Sequence, residues 1–188
     1  GTVTGEFMRL HVIPELDAYR FAKYASAPGI SKVSAPAVLT KDNIIAAIDE
    51  AVRRLDADEV PQAGRRLYIN SDLKPILNTA LARQWGSDGA VNTVLSGYND
   101  MPIVWVPKSR FYTAITLNDG TANWGYAKTA PTYTVTATEP ADWATKYKDY
   151  YTVSDGVYSN VTGETAPTWA AATYYKKTAE GASDINFM

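Results

Sequence analysis

The sequence predicts a mixed α+β chain with a small β-rich module set into its second half. Three observations carry that expectation. Apolar residues recur at helical spacing in three runs, at 5–25, 39–56 and 73–84. Short β-prone stretches lie between and after them, at 65–69 and 101–107. From about residue 123 to 178 the composition then shifts to Thr, Tyr, Ala and Trp.

The first run is the longest. In GEFMRLHVIPELDAYRFAKYA, residues Phe7, Leu10, Ile13, Asp17, Tyr19, Phe21 and Tyr24 mix apolar and polar types at helical spacings, and Val12, Leu16 and Ala18 widen the apolar face. Pro14 sits mid-run, where it removes a backbone donor and is expected to kink or restart the helix. Asp17 and Arg20 are three apart, close enough to pair. An ordinary amphipathic core helix accounts for this pattern. A helix lying against a neighbour accounts for it as well.

Residues 26–38 carry Pro28, Gly29 and Pro36 and read as a loop or irregular arm. A second helix is expected from Thr40, the predicted N-cap, to about Asp56, with Leu39 and Ile44 as a hydrophobic staple. Ile44, Ile45, Ile48, Val52 and Leu55 give its buried face. Asp49, Glu50, Arg53 and Arg54 read as a solvated opposite face. After a turn at 60–64, residues 65–69 are a short strand. Ser71 and Asp72 are the expected cap of a third helix running from Leu73 to Gln84, with Pro75 tolerated in its first turn and Gly86 and Gly89 ending it. The apolar run 101–107, bounded by Pro107, reads as a buried strand. Residues 111–117 form an element of undefined type, and Asn118, Asp119 and Gly120 form a turn.

The stretch 123–178 holds a weak internal repeat of roughly 25 residues. One copy carries Tyr133, Pro140, Trp143, Tyr147, Tyr150 and Tyr151. The other carries Tyr158, Val161, Pro167, Trp169, Tyr174 and Tyr175. Asp155 and Gly156 mark a hairpin. The expected organisation is a main domain of 1–122 with 179–188 and an inserted aromatic module of 123–178. Ile185 and Phe187 look like the start of a strand, so the stop at Met188 is expected to be a truncation.

Composition narrows the function classes. The 188 residues are 46% hydrophobic with a formal net charge of −2, so bulk charge points to neither nucleic acid nor an anionic membrane. Cysteine is absent, which removes disulfides and thiolate metal sites. No apolar run reaches the length of a membrane span. The only histidine is His11, with no carboxylate set ordered around it, and no glycine-rich phosphate loop is present. No catalytic residue, metal or cofactor is therefore assigned, and the chain is not expected to be an enzyme. The aromatic module is the one place where binding is expected. Exposed faces of Trp143, Tyr147, Tyr150, Trp169 and Tyr174 would stack on a glycan. Against that, a unit this small needs its large aromatics inside.

The order of segments resembles a family. GEFMRLHVIPELDAYRFAKYA, LTKDNIIAAIDEAVRRLDADEVPQAGRRLYIN, MPIVWVPKSRFYTAI and ASDINFM resemble, in that order, the tailed-bacteriophage major capsid proteins of the Hong Kong 97-type fold. The resemblance covers about 5–121 and 181–188, and leaves the aromatic module outside it. It implies an α+β capsid fold in which the first helix is the spine helix and 39–121 form most of the axial domain. It also implies a structural role in a phage or prophage shell, in the virion after assembly in the bacterial cytoplasm. In the full-length parent, of which this chain would be a fragment, subunits would self-associate into capsomers, with Phe7, His11, Tyr19 and Arg20 as candidate interface residues. No specific nucleic acid and no membrane partner is implied. The alternative function is glycan or cell-surface binding through the aromatic module.

Overall fold

The computed structural model describes residues 2–29, 38–82, 97–121 and 125–188. Most of the expected loop, the expected helix end at 83–89 and the start of the aromatic stretch at 123–124 lie outside them. The chain divides into two compact units, Gly1–Ala127 with Ser183–Met188, and Lys128–Ala182.

In the first unit α1 (Thr2–Phe7), a π-helical turn (Met8–Val12) and α2 (Ile13–Ser26) follow one another without a break in helical backbone. Phe7, Val12 and Ile13 at the junctions all keep right-handed helical φ and ψ. Pro14 is thus neither a sharp break nor a restart. Its ring would strike the carbonyl four residues back, and it has no N–H to donate. The chain answers by widening one turn: the Ile13 N–H donates to Met8 O, five residues back. The helix also begins at Thr2, earlier than the sequence pattern indicated. It ends because Ala27 precedes Pro28, which drives Ala27 to an extended ψ of 132°.

Only α2 is docked. Ala18 and Ala22 are buried, and their small side chains let the helix approach closely. Phe21 and Ala25 extend that contact onto a core of Val106, Phe111, Ile185, Tyr68 and Met188. The Asp17 carboxylate accepts from Arg110 at 3.2 Å, where sequence spacing pointed to Arg20 as its partner.

The main core of the unit lies between α3 (Ile44–Ala57), α4 (Lys74–Ala82) and a sheet of β1 (Leu67–Asn70), β2 (Gly97–Tyr98) and β3 (Met101–Val106). Ile44, Ile48, Ile69 and Leu77 are sealed inside it. Strand order is β1-β3-β2, with β1 parallel to β3 and β2 antiparallel to it. The β2–β3 turn places Asn99 and Asp100 both at positive φ, the geometry of a two-residue hairpin.

Two helix starts differ from the expected caps. No side chain caps the start of α3: the Asn43 Oδ1 accepts from the Thr40 N–H at 2.7 Å, upstream of the helix, and its Nδ2 donates to Val38 O, while the Thr40 carbonyl accepts from the Ile44 N–H at 3.0 Å. Asn70 replaces Ser71 and Asp72, accepting from the Asp72 N–H at 3.0 Å before a 3-10 turn leads into α4. The C-terminal residues return to this unit. Tyr68 and Met188 exchange backbone hydrogen bonds at 2.8 Å each, and Ile69 pairs with Phe187 antiparallel. β1 is thereby bonded along both sides. β4 (Ile115–Leu117) and β5 (Tyr126–Lys128) form a separate two-stranded pair.

The second unit is a four-stranded antiparallel sheet, β6 (Thr132–Val135), β7 (Tyr150–Ser154), β8 (Val157–Asn160) and β9 (Tyr175–Ala179), in the order β6-β9-β7-β8. α5 (Trp143–Lys146) and a 3-10 turn sit between β6 and β7. Asp155 and Gly156, both at positive φ, make the β7–β8 hairpin. The unit is narrower at its start and wider at its end than 123–178. Residues 125–127 group with the first unit, while the Ala182 N–H donates to Thr129 O at 2.8 Å and closes the base of the module. Gly181 permits that closure, since a Cβ there would lie 2.7 Å from Pro131 Cδ.

Candidate functional site

Two surfaces merit a functional reading, and each follows from how its element is partnered. The first is the outer side of the leading helix. α1 and the π-turn bury no residue, and α2 buries only Ala18 and Ala22. Val3 is 83% exposed, Phe7 52% and Leu10 56%. Ile13, Leu16, Tyr19 and Tyr24 are exposed as well. Isolated exposed apolar residues are unremarkable, but a run of them along one rod marks an interaction surface. The candidate interface residues Phe7, His11, Tyr19 and Arg20 all belong to this exposed portion. His11 lies against the Phe7 ring, centroids 5.3 Å apart.

The second surface belongs to the aromatic module, and there the structure corrects the expected glycan site. Trp143, Tyr147, Tyr150 and Tyr174 are buried, and Trp169 is partly buried against them. The Trp143 ring touches all four, at centroid distances from 4.6 to 6.3 Å. Two of their polar atoms bond within the module at short range. Trp143 Nε1 donates to Pro167 O at 2.8 Å, and the Tyr147 hydroxyl donates to Gly163 O at 2.9 Å. Trp143, Tyr147, Tyr150 and Tyr174 form the core of the module and offer no stacking platform, and Trp169 packs partly buried against them. The reason is the one raised by size: a sheet this small finds its apolar area in its largest rings.

The opposite face of that sheet went unremarked in the sequence. Tyr133, Tyr151, Tyr158 and Tyr175 lie on it, one from each strand and each only partly buried. The signal was present in the doublets Tyr150-Tyr151 and Tyr174-Tyr175. Successive strand residues point to opposite faces, so each doublet sends one ring inward and one outward.

The charged groups show mainly surface pairing. Glu50 accepts from Arg53 and Arg54, and those bonds hold its carboxyl at about 2. A shallow depression of about 500 Å³ is lined by Asp49, Val52, Arg53, Asp56, Tyr98 and Asn99. The Tyr98 hydroxyl donates to Asp49 at 2.6 Å. Burial, then that bond, push the phenol up to about 12. A phenol moved in that direction stays protonated at neutral pH and does not serve as a base. Among the described residues no group of three His, Cys, Asp or Glu is placed to hold a metal ion. No described helix is long and apolar enough to cross a membrane.

No protein-family model matches the chain, and neither a curated protein nor a solved structure does.

Proposed function

We propose that the chain is a structural subunit of an icosahedral shell, a tailed-phage or prophage major capsid protein of the Hong Kong 97-type fold. The ordered sequence resemblance over 5–121 and 181–188 motivates this reading. One structural observation carries it furthest: a leading helical rod whose first half, Thr2–Val12, buries nothing and presents Val3, Phe7 and Leu10 to solvent. A shell assembled by symmetry needs such repeated apolar contacts between copies and needs no reactive centre. The C-terminal residues bonded along β1 agree with the returning strand that the resemblance implies. On this reading the partner is a further copy of the same chain, and the protein resides in the virion.

Sedimentation velocity with negative-stain microscopy of the purified chain tests the proposal. Ring-shaped oligomers or shells are expected, and Leu10→Glu with Phe7→Glu should reduce them to monomers. A monomer at every soluble concentration, or assemblies indifferent to that double substitution, overturns it. Glycan binding through Trp143, Tyr147, Tyr150, Trp169 and Tyr174 is not proposed, because four of those rings are the module's core and Trp169 packs against them.

A further inference from the structure

We propose that the 3-10 turn Lys108–Arg110 is a latch, which makes docking of the leading helix depend on the segments leading into and out of the aromatic module. The proposal does not rest on the shell reading, because it concerns bonds within one copy of the chain. Three consecutive residues of the turn hold three different segments. The Lys108 ammonium pairs at 3.5 Å with Asp184, on the segment that follows the module. The Ser109 carbonyl accepts at 2.8 Å from the Tyr126 hydroxyl, on β5, which precedes the module. Arg110 donates at 3.2 Å to Asp17 on α2. Burial pushes the Tyr126 phenol up, and the charges of Arg110 and Asp17 act on it as well, so strand, turn and helix meet at one place.

The turn is fixed at both ends. Val106 before it and Phe111 after it are buried. The Arg110 N–H donates to Pro107 O at 2.9 Å, and the Phe111 N–H to Lys108 O at 3.1 Å. Pro107 adds a locked φ. A three-residue turn held this way shifts as one body, so a displacement imposed by one bonded segment reaches the other two.

The surface on which the helix docks is itself built by the segment that follows the module. Ile185 is buried with Val106 and Phe111, and Phe21 and Ala25 of α2 pack against that group. The Ile185 N–H donates to Phe111 O at 2.9 Å. Thr113 and Ser183 exchange a second pair of bonds, Thr113 N–H to Ser183 O at 2.9 Å and Ser183 N–H to Thr113 Oγ1 at 2.8 Å.

Little else holds the helix. Thr2–Val12 buries no residue, and α2 buries only Ala18 and Ala22. Docked and free states therefore differ by the contacts around Phe21, Asp17 and these alanines, and a small change at the turn shifts their balance. By linkage, whatever orders the segments flanking the module favours the docked helix, and undocking loosens those segments in return.

Hydrogen exchange of the whole chain, followed amide by amide in NMR spectra, tests the latch. Tyr126→Phe removes one hydroxyl from β5 and leaves α2 unaltered in sequence. It should speed exchange in α2 about fivefold, the effect of one lost hydrogen bond. Tyr98→Phe removes a comparable bond, to Asp49, elsewhere in the same unit, and should leave α2 exchange unchanged. In the reverse direction, Asp17→Ala should speed exchange at Thr113 and Ile185. Unaltered α2 exchange in Tyr126→Phe overturns the proposal. Equal acceleration in Tyr98→Phe overturns it too, since that marks a general loss of stability. Should Tyr126→Phe fail to fold, Asp17→Ala decides alone, and unchanged exchange at Thr113 and Ile185 then sinks the idea.

Discussion

The Phe21 ring meets the Phe111 ring edge-on, with centroids 4.9 Å apart and planes at 79°. Phe111 is fully buried, and Phe21 also contacts Tyr68 edge-on at 5.5 Å. This contact anchors the leading helix, because the alanines beside it contribute little area and the first half of the rod, Thr2–Val12, buries no residue. Phe21→Ala should cost about 3 kcal/mol, at the low end for a phenylalanine truncation because the ring is only partly buried. Urea denaturation reads the loss. Hydrogen exchange should show α2 losing protection while α3 and α4 keep theirs.

The module offers a separable test. Trp143 touches every other large ring of its core and bonds Pro167 O through Nε1. Trp143→Ala should remove about 3–5 kcal/mol, more than a sheet of this size retains. Residues 128–182 should then exchange fully while the first unit stays protected. Trp143→Phe keeps a ring but leaves the Pro167 carbonyl without its donor, so a smaller loss of about 1–3 kcal/mol is expected. Equal effects from both substitutions would argue that the hydrogen bond, and not ring volume, holds the module.

What the sequence made legible follows from which interactions are local. The apolar faces of α3 and α4 came from periodicity, because burial of one face is written into spacing. The continuous apolar run at 101–106 marked a strand, but only its ends, Met101 and Val106, are buried. The Asp155-Gly156 hairpin came from backbone chemistry that only a few residues satisfy. The caps were less legible: no side chain caps α3, and Asn70 caps the turn before α4 where Ser71 and Asp72 are equally competent by type, so tertiary context selects among them. Asp17 was misassigned for a similar reason. Arg110 lies 93 residues away in sequence and no local pattern announces it. The candidate glycan site failed because a list of aromatic residues does not tell which sheet face each occupies until register is known.

A pH test applies to Tyr98. Its phenol is pushed up to about 12, first by burial and then by Asp49. A group whose folded value is raised contributes stability that is whole below its unfolded value, about 10. That contribution is lost as pH climbs through 12. Ultraviolet titration at the phenolate band should therefore show Tyr98 ionising late, alongside Tyr126, whose phenol burial also pushes up. Asp49→Asn removes the neighbouring charge and should move the Tyr98 transition down toward the others. An unchanged transition in Asp49→Asn would assign the whole shift to burial.

Pro14 and the π-turn before it give the last prediction. The Ile13 N–H reaches Met8 O because an α-helical turn would bring the Pro14 ring against the Leu10 carbonyl. Pro14→Ala restores a donor and removes that clash. The widened turn at Met8–Val12 should then tighten to α-helix. An interior proline costs roughly 3 kcal/mol, part of which the π-turn already dissipates, so a gain of about 1 kcal/mol is expected. Ellipticity at the helical band should rise, and the new residue-14 amide should be protected from exchange. The tightening also changes the rotation of Val3 and Phe7 about the rod relative to Leu16 and Tyr19. If the exposed apolar residues act together as a subunit interface, Pro14→Ala should stabilise the monomer and weaken assembly at once. Higher stability with unaltered assembly would show that the two halves of the helix serve different contacts.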